Sequence, residues 1–142
     1  MILSFPEVCD ALTASMGQIL GKDVVFDGPP VRDVGTSGLA IGATREDDTS
    51  SFAAQAADLA GGISESLTIT CLAWSGSGDT VFKPARDQVR AIVAAVSVQL
   101  QADPTLGGAV DTSDITGGTW TQEQTGEGAL VTCEFRIATR QF

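Results

Sequence analysis

The segment that most constrains what this chain can become runs from Ser75 to Gly108: SGSGDTVFKPARDQVRAIVAAVSVQLQADPTLGG. Val81, Phe82, Ala85, Val89, Ile92, Val93, Val96 and Leu100 recur at three- and four-residue steps, which sets them on one stripe of an α-helix. Arg86, Asp87, Arg90, Gln99 and Gln101 occupy the rest of the circumference. A Gly/Ser turn precedes the stripe, and Asp103-Pro104 followed by Gly107-Gly108 stops it. A helix so one-sided needs an apolar layer to lie on, and the chain supplies one in alternating segments. Leu67, Ile69, Cys71 and Ala73 alternate with Thr68, Thr70 and Leu72; Val131, Cys133, Phe135 and Ile137 alternate with Thr132, Glu134 and Arg136. Both read as half-buried strands.

A second helix is signalled near the N-terminus. Ser4 and Glu7 have capping-box spacing, Leu3 and Val8 that of a hydrophobic staple, and Phe5, Val8, Leu12, Met16 and Ile19 or Leu20 line one face. Gly17 and Gly21 fray or end it. Lys22–Asp27 reads as a short strand with Val24 and Phe26 on one side, broken by Gly28-Pro29-Pro30. Gly38–Ala43 reads as a strand with Leu39 and Ile41 inward, and Thr44–Ser51 as a polar acidic loop. Phe52–Ala60 is helical by propensity, from its alanines and its apolar spacing. Ala109–Ile115 and Thr119–Gln124 read as two short strands around Gly117-Gly118. The expectation is one α+β domain spanning residues 1–142: a two-layer sandwich with a mostly antiparallel sheet of five or six strands and both helices on one face.

Composition narrows the function. There is no histidine, which removes Ser/His/Asp and Cys/His arrangements and most zinc-hydrolase sites, so no enzyme and no metal or cofactor site is expected. Eighteen acidic and eight basic residues give a formal charge of −10, against the basic footprint that gripping a nucleic-acid backbone requires. Cys9, Cys71 and Cys133 are dispersed and odd in number, the pattern of reduced thiols. No apolar run approaches a membrane span, and MILSFPEVCD has no basic leader, so a cytosolic origin is expected. The SGSGD turn lacks the Lys-Ser/Thr of a phosphate loop and reads as a cap on the long helix, with Asp79 near its N-terminus. Asp47 and Asp48 lie in a Ser/Thr-rich loop with no sign of burial. Trp74 reads as core or sheet-edge packing; Trp120, in a Gly/Thr stretch, has an interface role as its second reading.

Several short motifs together resemble the tail terminator (minor tail) proteins of long-tailed bacteriophages of actinobacterial type. They are Trp74–Asp79 (WSGSGD) before the long helix, Ala102–Val110 (ADPTLGGAV) after it, Gly38–Gly42 (GLAIG), and Gln122–Ala129 (QEQTGEGA) entering the last strand. The resemblance covers roughly Val24 to Ile137 and lies in the order and spacing of these motifs. It implies a strand, not a helix, for Phe52–Ala60. It also implies a virion protein at the tail–neck junction, assembled in the host cytoplasm. Such a protein forms a ring, usually a hexamer, on the last ring of the tail tube protein, stops polymerisation, and joins a head-completion protein while DNA passes through unbound. In such a ring Arg86, Arg90, Arg136 and Arg140 are candidate intersubunit ion-pair residues, against the plainer reading of surface charges paired within the chain. Glu46, Asp47 and Asp48 are candidates to line the central hole. The loops Asp27–Ser37, Thr44–Ser51 and Thr116–Gly128 are expected to order on assembly. The competing readings are another neck protein of stopper type and, from a different class, an acidic inhibitor or immunity-type protein masking a basic partner.

Overall fold

The computed structural model describes residues 5–28, 37–43, 52–59, 62–126 and 128–141. Two helices, α1 (Phe5–Leu20) and α2 (Lys83–Ala102), accompany six strands: β1 (Val25–Asp27), β2 (Ser37–Ile41), β3 (Phe52–Leu59), β4 (Gly62–Gly76), β5 (Thr112–Thr125) and β6 (Gly128–Gln141). They form one sheet in the order β1-β2-β4-β6-β5, with β3 on β4 outside that path. Only β1 and β2 run parallel. The α+β class and the strand count expected from the sequence are both present.

β4 is the axis of the sheet. One of its edges takes β6 from Glu65 to Gly76. Its other edge is shared: β2 pairs with Cys71–Ser75 and β3 with Gly62–Ile69. This explains why Phe52–Leu59 is a strand despite its alanines. A long free edge offers a ladder partner at every residue, and pairing outweighs a helix preference of a few tenths of a kcal/mol per residue.

Both helices lie on the face carried by Leu67, Ile69, Cys71 and Ala73 of β4 and Val131, Cys133, Phe135 and Ile137 of β6. Onto it α2 turns Ala85, Val89, Ile92, Val96 and Leu100, and α1 turns Val8, Leu12 and Met16. Each wholly buried aliphatic side chain here contributes about 1.5–3 kcal/mol relative to exposure. The stripe is narrower than its periodicity implied: Val81 lies before the helix and is 52% exposed, and Ile19 of α1 is 41% exposed while Leu20 packs. Ser4 and Leu3, the expected cap and staple residues, lie outside the described residues. Gly17 sits inside α1; the helix closes at Gly21, whose N–H donates to the Gly17 carbonyl at 2.9 Å.

Neither described helix covers the other face of the sheet, which holds a smaller cluster of Ala40, Ala43 and Trp74, with Phe26, Leu72 and Leu130 against it. Val24 and Phe26, expected on one side, are split between the faces. Val25 and Val24 join the main core, whereas Phe26 packs on Trp74 with ring centroids 5.8 Å apart. Gly38 lies under that indole, and a Cβ there would come within 2.5 Å of the ring.

Two further expectations are corrected. Thr112–Thr125 is a single strand, not two, paired with β6 throughout and interrupted by a bulge between Ile115 and Gly117. Gly117 takes φ 148°, so the Gly-Gly pair bends the strand without ending it. Most of the Thr116–Gly128 segment, read as a loop, is therefore strand; of the other two proposed loops, residues 29–36 and 44–51 lie outside the described residues.

The SGSGD turn does not cap α2. The residue at the N-cap is Phe82, which makes no side-chain cap bond, and a proline lies in the first turn. Asp79 instead accepts from the Val81 N–H at 2.8 Å and from Ser77 Oγ at 3.1 Å. Its carbonyl accepts from the Ala129 N–H at 2.6 Å, which ties the turn to the start of β6. The ADPTLGG stop works through one carboxylate. Asp103 accepts from Thr105 Oγ1 and from the Gly107 N–H, both at 2.8 Å. Those two bonds hold its pKa below the ordinary carboxylate value.

Candidate interaction surfaces

Glu46, Asp47 and Asp48 lie outside the described residues, so the four arginines are the sequence candidates that can be placed. They divide between the two sides of the sheet. Arg86 and Arg90 are one turn apart on the exposed flank of α2, on the helix side. Arg136 and Arg140 alternate with the buried residues of β6 and so project from the face opposite the helices, across from Gly117 and Thr112 of β5 respectively. Arg140 joins Ser66, Thr68, Thr112 and Asp114 around a hydroxyl-rich depression of about 410 Å³. The four therefore make two separate basic points.

What sequence reasoning missed is the company Arg86 and Arg90 keep. Trp120 on β5 stands opposite Cys133, on the helix side, and is 47% exposed. With Arg86, Asp87 and Arg90 it surrounds a shallow depression of about 300 Å³. Arg86 donates to Gln122 Oε1 at 2.9 Å, a neutral acceptor, while Asp87 is held by Lys83 at 2.9 Å. The Lys83 bond, with smaller contributions from Arg86 and Arg90, holds the Asp87 pKa below its ordinary value. No carboxylate among the described residues forms a salt bridge with Arg86 or Arg90. Asp87 is the neighbouring carboxylate on which both arginines act electrostatically, alongside its bond to Lys83. The sequence signal was present but weak: a tryptophan in a Gly/Thr run with no apolar alternation to bury it.

A second concavity lies at the far edge of the sheet, between α1 and β1. It has a volume of about 490 Å³ and is lined by Ala14, Gly17 and Val25 together with the charged Asp10, Asp27 and Lys22. Cys9 adjoins it. Burial, then the charges of Asp27 and Asp10, push its thiol up to about 11, so the field of both carboxylates converges there. Cys71 and Cys133 are buried free thiols in the main core. Among the described residues no group of three or more His, Cys, Asp or Glu side chains could hold a metal ion, and no helix is long and apolar enough to cross a membrane.

No protein-family model and no curated protein matches the chain. A solved structure does: a chain of the virion of a native gene transfer agent particle, with a TM-score of 0.52 and 10% sequence identity, over 93% of this chain and 92% of that one. At that identity the likeness is one of fold. It extends over nearly the full length of both chains, so the two-layer arrangement is shared as a whole and not as a fragment.

Proposed function

We propose that this chain, acting as one unit over residues 1–142, is a structural protein of a phage-like particle, and within it the tail terminator. The observation that carries the virion reading is the full-length fold likeness to a chain of a gene transfer agent virion. The terminator reading rests on the ordered motifs of the sequence, above all the WSGSGD turn and the ADPTLGGAV stop that bracket α2. In this role the protein forms a ring, hexameric as in the family it resembles, on the last ring of the tail tube protein. Its far surface does not reproduce the tube's stacking face, so polymerisation ends there and a head-completion protein docks. Six repeated contacts of modest strength sum by avidity. The function is contact and not turnover, with no cofactor, and the excess acid lets DNA pass without being gripped.

Gold-labelled antibody on intact particles should mark the joint between head and tail. Deleting the gene should give overlong tails unattached to heads. Tails of normal length beside heads that leak DNA would assign the chain to the stopper position instead. Absence from particles would defeat the virion reading altogether.

A further inference from the structure

The two ends of the sheet are chemically unlike, and each lacks what the other has. At the β5 end a half-exposed tryptophan lines a depression with Arg86 and Arg90, two cations against the single carboxylate of Asp87, which is itself bonded to Lys83. At the β1 end an open groove is lined by Ala14, Gly17 and Val25 together with Asp10, Asp27 and Lys22. β1 and β5 are the terminal strands of the order β1-β2-β4-β6-β5, so these surfaces cannot meet within one chain. The geometry points to a head-to-tail contact between copies of this chain, with Trp120 of one copy seated in the α1–β1 groove of the next and Arg86 and Arg90 beside its Asp10 and Asp27.

Three considerations carry this. The charges are complementary: within a chain of net charge −10, the segment Lys83–Arg90 carries three cations and one anion, and the groove it would meet carries Asp10 and Asp27 against the single cation Lys22. The residue types are those that dominate association energies, since tryptophan and arginine are enriched where truncation costs most. The strand that presents Trp120 is an edge of 14 residues which, one bulge apart, contains neither proline nor lysine to blunt it. A contact using two different patches is heterologous, and such contacts close into rings when the rotation closes. The inference thus rests on the ring-forming role proposed above and names the surfaces that would form it.

The test uses the full-length protein and two single variants at exposed positions, Arg90→Glu and Asp27→Arg, each checked by circular dichroism for an unchanged fold. Sedimentation velocity at low salt, where screening is weak, should show wild-type self-association that each variant weakens about tenfold or more. An equimolar mixture of the two variants should recover it, because the reversed edge of one meets the reversed groove of the other. Tryptophan emission should shift to the blue as wild-type protein associates, since Trp74 is already buried and only Trp120 has exposure to lose. A wild type that stays monomeric to its solubility limit, variants that associate like wild type, or a mixture no better than its components would each overturn the contact. None of those results bears on whether the protein is found at the head–tail joint, which labelling of particles decides separately.

Discussion

Thr132 is the residue whose chemistry fits its surroundings least well. It is 5% exposed, and its hydroxyl has no hydrogen-bond partner. Valine keeps the β-branched shape and removes the stranded oxygen, so Thr132→Val should raise stability by about 1 kcal/mol, read as a higher urea midpoint. A lower midpoint would mean that the hydroxyl contributes to the fold. The three thiols should contribute to the loss of stability at alkaline pH. Burial pushes Cys71 up to about 12, burial and then the two aspartates push Cys9 to about 11, and burial raises Cys133. Each folded value lies above the ordinary 9.0, so the folded chain holds protons that the unfolded chain releases. Their contribution is complete below pH 9 and is lost as pH rises through about 11 and then 12. Unfolding free energy should fall over that window, and less steeply in Cys71→Ala than in wild type. The sequence made Cys71 and Cys133 legible as small hydrophobes because strand alternation fixes their face. Cys9 has Asp10 beside it in the sequence but acquires Asp27 only when β1 folds against α1.

At the scale of elements, what was legible depended on how much each segment carried its own signal. α2, β4 and β6 each have a full periodic stripe, and each appears where the pattern put it. β5 has no such stripe, since Gly117, Gly118 and a run of Thr and Gln supply no apolar alternation. The ladder to β6 makes it one strand, and the bulge at Gly117 absorbs the misfit. β3 is a strand for a similar reason, its local preference yielding to the open edge of β4. The SGSGD turn held a further surprise, because its bonds to Ala129 organise the β5–β6 hairpin and not the helix that follows it. Close approach of elements also gives a sharp test. Gly38→Ala puts a methyl group 2.5 Å from the Trp74 ring, and the strain should cost about 1–3 kcal/mol in thermal or urea unfolding. An unchanged midpoint would mean that the indole moves aside freely.

For the molecule as a whole, stability and assembly should separate at Trp120. Its partial exposure and its place on an edge strand predict that Trp120→Ala changes folding stability by no more than about 0.5 kcal/mol. The same variant should lose most of the self-association seen for wild type by sedimentation. Equal losses of both would make Trp120 a packing residue and nothing more. Two layers, a mostly antiparallel sheet and a chain without the residues for the common catalytic arrangements follow from the sequence alone, because periodicity and composition are local properties that any window of residues displays. The strand order, the division of the arginines between opposite faces, and the meeting of Trp120 with Arg86 and Arg90 were decided only in three dimensions. Those depend on which elements meet across tens of residues of chain, as Arg86 with Gln122 over 36 and Leu67 with Thr139 over 72 illustrate, and no local pattern encodes a pairing partner so far away.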